Sequence, residues 1–242
     1  MRKHFFFDMD GTLTRSRSMI SDTMANGLRD ILSNGGDVVV VSGATKEQMI
    51  KQLGEIMNEV VVMAQNGNHA ESVGGESLWR NELSATQKND VLKLVHKMIE
   101  HAGIEIKNHR DLVEDRICQI SYSLIGHNAP LEDKEASDPD KEIRKRLFSC
   151  FPAEIAKLKE LGVQARIGGT TCVDFTTSNK GENVKKFIKQ MGWREDECIY
   201  VGDALFEGGN DHSVVGVIPT LAVPSHKECE EAVQLFVQEL SL

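Results

Sequence analysis

Two carboxylates, Asp8 and Asp10 in Asp8-Met9-Asp10-Gly11-Thr12, follow directly on the apolar run His4-Phe5-Phe6-Phe7. A buried strand that ends this way delivers both acids into one tight turn. There one carboxylate can attack an electrophile covalently while the other moves a proton, and Gly11 lets the backbone turn sharply beside them. Taken alone, the pentapeptide also fits an Asx turn or a helix cap.

The far end of the chain adds acids of the same kind. Cys198-Ile199-Tyr200-Val201 is a short β-rich run opening into the Gly- and acid-rich stretch from Gly202 to Asp211. If the two runs are parallel neighbours, their carboxyl ends share a crevice, the usual ligand site of open α/β sheets. Asp8, Asp10 and Asp203 would converge there, with Asp211 in support, as oxygen ligands suited to Mg²⁺. Asp37-Val38-Val39-Val40-Val41 reads as another buried strand, ending at Ser42-Gly43 with a hydroxyl and a backbone N–H to offer phosphoryl oxygens. Lys180 precedes an amphipathic stretch from Glu182 to Met191 and can neutralise a phosphoryl group or a carboxylate nucleophile. Each has a plainer alternative, an ordinary turn for Ser42-Gly43 and a solvated surface lysine for Lys180.

In this order the segments resemble the four motifs of the haloacid dehalogenase superfamily of phosphotransferases. Phe7-Asp8-Met9-Asp10-Gly11-Thr12-Leu13-Thr14 is similar to the first, Val41-Ser42-Gly43 to the second, Lys180 to the third, and Gly202-Asp203 through Asn210-Asp211 to the fourth. The resemblance implies Asp8 as nucleophile, Asp10 as general acid and base, and Ser42 and Lys180 as stabilisers of transition-state charge. It further implies Mg²⁺ held by Asp8, Asp10, Asp203 and Asp211, with Gly11, Thr12, Gly43 and Asn210 around the phosphoryl group. It also implies a cap domain inserted between the second and third motifs.

Within that group the chain resembles eukaryotic-type phosphomannomutases and the sugar-phosphate phosphatases beside them. Gln65-Asn66-Gly67, Ile167-Gly168-Gly169 and Asp174-Phe175 carry this likeness together with the core motifs. The resemblance assigns the sugar and its distal phosphate to Arg116, to His127 eleven residues later, to Lys134, and to Cys172 and Asp174. It departs from the mutase pattern where His127 and Lys134 stand in place of arginines and Cys172 in place of a serine. Guanidinium binds phosphate bidentately and stays charged, whereas imidazole is mostly neutral at pH 7 and lysine is a point charge. Those departures favour hydrolysis of a sugar phosphate over a mutase cycle, which must retain a bisphosphate. A homodimer through the cap is implied by the mutase likeness.

The elements that must position these residues alternate between strand and helix. Ser21 to Ser33 and Thr45 to Leu53 read as helices, with strands at Val60 to Ala64, Cys198 to Val201 and Thr220 to Val223 and a closing helix at Lys227 to Leu240. This α/β alternation implies a doubly wound parallel sheet. The core is expected over residues 1–81 and 178–242, and an α+β cap over 82–177. In the cap, Ser84-Ala85-Thr86-Gln87 has the capping-box pattern. Strands are expected at Ile104–Ile106, Ile117–Leu124, Val163–Ile167 and Cys172–Thr176, one helix near Asp140–Leu161, and a loop from Gly126 to Pro139.

Composition excludes several classes. The 242 residues carry a net charge of −9, so no basic nucleic-acid surface is expected. The five cysteines are odd in number and form no CxxC pair, which argues against a disulfide framework or zinc site. His4, His69, His96, His101, His109, His212 and His226 have no metal-like spacing, and Trp79 is either a buried core residue or a stacking platform for a sugar. No apolar run approaches the roughly 20 residues of a membrane helix. A cytoplasmic enzyme acting on a small phosphorylated substrate is therefore expected.

Overall fold

The computed structural model describes residues 2–104 and 111–242. In chain order the first half gives β1 (His4–Phe7), α1 (Asp22–Ser33), β2 (Asp37–Val41), α2 (Lys46–Leu53), β3 (Val61–Ala64), β4 (His69–Glu71) and β5 (Ser77–Arg80). Next come α3 (Ala85–His101), β6 (Val113–Asp115), β7 (Gln119–Ser123), α4 (Leu131–Ser137), α5 (Glu142–Cys150), α6 (Pro152–Glu160), β8 (Gln164–Gly168) and β9 (Cys172–Thr176). The chain closes with α7 (Lys180–Met191), β10 (Cys198–Gly202), β11 (Thr220–Ala222) and α8 (His226–Leu240). Residues 1–80 and 179–242 form one compact unit and residues 81–178 another.

The first unit is built on a seven-stranded sheet in the order β11-β10-β1-β2-β3-β4-β5. The five strands from β11 to β3 are parallel, and β4 and β5 add an antiparallel edge. Alternation along each strand divides the core into two layers. Phe5, Phe7, Val38, Val40, Ile199 and Val201 pack toward α1, α2 and α8. Phe6, Val39, Val41 and Tyr200 pack on the opposite side with Val184, Phe187 and Ile188 of α7. Strands buried on both faces are near-continuously apolar, which is why Phe-Phe-Phe and Val-Val-Val-Val read as strands. The antiparallel pair β4–β5 was not expected from the sequence, since each strand is short and half polar. Trp79 in β5 donates its indole N–H to the Gly67 carbonyl at 2.9 Å and lies under the Lys186 ammonium. It is thus packed beside α7, correcting the alternative of a sugar platform.

Helix starts follow their caps. Ser21 accepts from the Met24 N–H, and Thr45, Ser84 and Asn179 form capping boxes with Gln48, Gln87 and Glu182.

The second unit has a four-stranded antiparallel sheet, β6-β7-β9-β8. One face, with Ile120, Tyr122, Val173 and Phe175, forms an apolar core with α3 residues Val91, Leu94, Val95 and Met98. The single helix expected over Asp140–Leu161 is two helices. Pro152 opens α6, and the residue before a proline is driven out of helical conformation, as Phe151 is at φ −125°, ψ 45°. The loop expected from Gly126 to Pro139 contains α4, with Glu132 and Asp133 in its first turn, where the helix dipole favours acids. The strand expected at Ile104–Ile106 runs into residues 105–110, which with His109 lie outside the described residues.

Candidate active site

β1 sits at the centre of the parallel sheet, flanked by β10 on one side and β2 on the other. Chain direction reverses its stacking order there, so the carboxyl ends of β1, β2 and β10 open into a crevice. The Asp8 N–H donates to the Val201 carbonyl at 2.9 Å, continuing the ladder and fixing the Asp8 backbone. Gly11 at φ +84° lets the chain turn, and the Thr14 N–H then returns to the Met9 carbonyl at 2.9 Å.

Lys180 is the first residue of α7, and its ammonium is wholly buried. It donates to Asp8 Oδ1 at 2.7 Å and to Asp211 Oδ1 at 2.5 Å. The surface-lysine alternative is thereby removed. Asp211 Oδ1 also accepts from the Tyr200 hydroxyl at 2.7 Å. Burial pushes the Asp8 carboxyl up to about 7, Lys180 opposing the rise and Asp211 and Asp203 adding to it. Burial works against the Lys180 charge, but Asp211 and Asp8 outweigh it and hold the ammonium above its ordinary value. Burial and then Asp211 push Tyr200 well up, so the phenol stays protonated as a donor.

Oxygens of Asp8, Asp203 and Asp211 lie within 4.8 Å of one another. Burial, then Asp211, raises Asp203 as well. Three converging carboxyl groups, two with pKa values raised by desolvation and mutual repulsion, have the oxygen donors that could hold a hard divalent cation. The Asp10 carboxylate is not part of this trio. Its Oδ1 accepts the Arg17 N–H at 2.6 Å, because the turn after Met9 carries the side chain away from Asp8.

Thr12 links the two turns of the site. Its Oγ1 accepts the Asp203 N–H at 3.0 Å and lies 3.4 Å from Asp203 Oδ1, tying the turn after β1 to the turn after β10. A Cβ on Gly11 would stand 2.7 Å from Asp203 Oδ2, so the glycine is needed for that approach. Ser42 is buried at the end of β2, its Oγ accepting the Ala44 N–H at 3.1 Å. Gly43 lies in the same turn, against the Asn66 amide. Asn210 is exposed at the end of the acidic loop.

Two features here escaped sequence reasoning. Tyr200 is a phenol inside a buried strand two residues before Gly202, a position whose inward parity was the available signal. Gly181 is the second: its N–H donates to Ser213 Oγ at 3.1 Å, and a Cβ there would meet the Ser213 carbonyl at 1.8 Å. In the turn after β3, already marked by its sequence, Gln65, Asn66 and Gly67 all have positive φ. The Asn183 amide of α7 donates to the Asn66 carbonyl at 2.8 Å, bracing the first turns of the helix that carries Lys180.

In the second unit the expected ligand residues lie on or beside one polar sheet face. Arg116 binds Glu114 Oε2 through Nε at 2.8 Å and Nη2 at 2.6 Å. The buried His127 ring places Nε2 3.1 Å from the Ser121 carbonyl, and burial pulls its pKa down against the pull of Glu114. Lys134 is buried and donates to the His127 carbonyl at 2.6 Å. Asp174 Oδ1 accepts from the Ser121 hydroxyl at 2.7 Å. Burial, with Asp174 adding to it, pushes the Cys172 thiol up. The structure also shows an unforeseen buried pair, Arg144 with Asp138 at 2.7 Å, whose guanidinium donates to the Gly168 and Gly169 carbonyls at 3.1 Å and fixes the β8–β9 turn.

Similarity to known proteins agrees with this geometry. A phosphomannomutase of Spinacia oleracea is 28% identical over 93% of each chain, and phosphomannomutase 1 of Dictyostelium discoideum 27% identical over 86% of this chain and 84% of its own. An IMP-bound IMP-nucleotidase structure from Plasmodium falciparum superposes with a TM-score of 0.72 at 17% identity, covering 98% of this chain and 68% of that one. A haloacid dehalogenase-like hydrolase structure from Bacteroides thetaiotaomicron gives 0.63 at 15%, covering 97% and 99%. These structural likenesses speak to the fold. The family profile of haloacid dehalogenase-like hydrolases matches residues 5–213, from β1 through the acidic loop after β10, and the chain therefore belongs to the haloacid dehalogenase-like hydrolases.

Proposed function

We propose that the chain is a Mg²⁺-dependent phosphatase acting on a sugar phosphate or similar small phosphomonoester through a phosphorylated Asp8. The observation that carries this reading is the buried Lys180 ammonium held between Asp8 and Asp211, with Asp203 completing a carboxylate trio. Bound Mg²⁺ would be held by Asp8 and Asp203, with Asp211 behind them, and would supply charge neutralisation for the incoming phosphoryl oxygens.

Asp8 attacks phosphorus in line and becomes the aspartyl-phosphate. Asp10, turned out of the carboxylate trio, gives a proton to the leaving sugar oxygen and later takes one from water. Its separation from the trio suits a group that must move protons. Lys180 and the Ser42 hydroxyl with the neighbouring backbone N–H offset charge on the transferring group. Tyr200 and Asp211 keep Lys180 in place.

A phosphomannomutase is the second reading, favoured by the relatives at 27–28% identity. Against it, Arg116 is paired with Glu114, His127 is held as a neutral ring and Lys134 is committed to a main-chain carbonyl. Each of these groups is already engaged within its own unit, which weighs against a second phosphate there.

The test is acid-quenched peptide mass spectrometry after incubation with hexose 1-phosphate and Mg²⁺. A phosphoryl adduct is expected on the peptide holding Asp8 and not in Asp8→Asn. Undiminished phosphate release by Asp8→Asn would overturn the reading.

A further inference from the structure

Between β3 and β4 the chain passes through Gln65, Asn66 and Gly67 at φ 50°, 60° and 81°, a left-handed run in which only the last residue is glycine. A side chain makes that conformation unfavourable, and it persists where the surroundings leave the backbone no alternative. Here the surroundings are two neighbouring pieces of the first unit. On one side the Gln65 N–H donates to the Ala44 carbonyl at 2.8 Å and the Asn66 N–H to the Ser42 carbonyl at 2.7 Å. On the other, the buried Asn183 amide of α7 donates to the Asn66 carbonyl at 2.8 Å. A Cβ on Gly67 would stand 2.6 Å from the Asn183 Cβ, so helix and turn are in direct contact.

Asn183 and Lys180 are three residues apart on the buried side of α7. Hydrogen bonds therefore lead from the helix that carries Lys180, through Asn66, to Ser42. The two ends of this link are held unequally. Lys180 is fixed without it, by Asp8 and Asp211, and the Gly181 N–H is held by Ser213. At the other end, the Ser42 N–H continues the β2–β3 ladder to the Met63 carbonyl at 3.0 Å, and beyond that bond the Ser42-Gly43-Ala44 turn rests on Gln65 and Asn66. Ser42 Oγ accepts the Ala44 N–H of its own turn, which leaves the O–H to donate.

We propose that Asn183 is a positioning residue for Ser42. By holding the Asn66 carbonyl it fixes the turn that sets the Ser42 hydroxyl relative to the Lys180 ammonium, so that both donors bear on one phosphoryl group. Loss of the amide lets the Ser42 turn shift while Lys180 stays with its two carboxyl partners. This rests on the proposed function only in that Ser42 and Lys180 share a phosphoryl group, and not on hydrolysis or on the sugar.

Calorimetric titration with orthovanadate and Mg²⁺, a phosphoryl mimic that requires no turnover, tests it in a cycle of Ser42→Ala, Asn183→Leu and the double variant. Each single change should weaken binding by about 3- to 10-fold, the worth of one hydrogen bond. Adding Asn183→Leu to Ser42→Ala should cost no more than about twofold further, because the hydroxyl it positions is already gone. Asn183→Asp, equal in size but without the donor, should behave as Asn183→Leu does and completes the cycle where leucine disturbs folding. Val184→Ala, which loosens the core contact of the same helix, should leave the affinity at the wild-type value. Additive losses, an unchanged affinity in Asn183→Leu and Asn183→Asp, an equal loss in Val184→Ala, or no orthovanadate binding by the wild type would each overturn the proposal. Absence of phosphate release from hexose 1-phosphate by a wild type in which the coupling holds would instead overturn the phosphatase reading and leave the role of Asn183 standing.

Discussion

Lys180 meets two carboxyl groups with a fully buried ammonium, and such a group is tolerated only because both acceptors are within hydrogen-bond distance. Its placement depends on a residue with no side chain. Gly181 brings α7 against the Ser213 carbonyl, so Gly181→Ala must push the helix away and draw Lys180 off Asp211. We expect that variant to lose about 1–3 kcal/mol in a urea melt and to lose kcat more than KM. An unchanged melt would mean that the turn after Asp211 shifts freely. Asp8→Asn removes a carboxyl that burial and two neighbouring acids already oppose. It should keep the fold by circular dichroism, with turnover reduced by at least about 10³-fold. Asp8 and Lys180 were legible in the sequence because each stands at a strand end or helix start. The hydrogen bonds of Asp10 and Thr12 were not, since they depend on how one turn closes on Arg17 and Asp203.

Strands with long apolar runs, such as Phe5-Phe6-Phe7 and Val38 to Val41, announced themselves, and so did the capped helices. The short β4 and β5 did not, because three or four mixed residues carry no periodic signal. In the inserted sheet, alternation separates an apolar face from a polar one, and two members test that division. The Tyr122 hydroxyl lies on the apolar side, buried with no partner among the described residues, and burial pushes its pKa up to about 12. Tyr122→Phe should therefore be neutral or stabilising by up to about 1 kcal/mol, read from thermal melts. A large loss would show that the hydroxyl has a partner. His127 borders the polar side with its folded pKa below the ordinary 6.5, so the unfolded chain takes up the proton first. Its contribution to stability is present above about pH 6.5 and is lost as pH falls from there through the folded value. Melts between pH 5 and 7.5 should show a shallower decline in His127→Gln than in the wild type. A ring that binds a phosphate as imidazolium would titrate in the opposite direction.

A chain with net charge −9 gains nothing from its overall field when its substrate is also an anion. Attraction must come from local cations, such as the Lys180 ammonium beside Asp8. No helix among the described residues is long and apolar enough to cross a membrane. Because a ligand that binds only the folded state stabilises it, Mg²⁺ at about 100 times its dissociation constant should add about 2.7 kcal/mol. That rise in Tm should vanish in Asp203→Asn. A rise that survives the substitution would place the cation elsewhere. The most direct measurement is a phosphorus NMR time course of the wild-type protein with mannose 1-phosphate and Mg²⁺, run with and without a trace of hexose 1,6-bisphosphate. Orthophosphate should appear in both samples at similar rates. Mannose 6-phosphate appearing only with the bisphosphate, and no orthophosphate in either, would contradict hydrolysis and establish transfer between sugar hydroxyls.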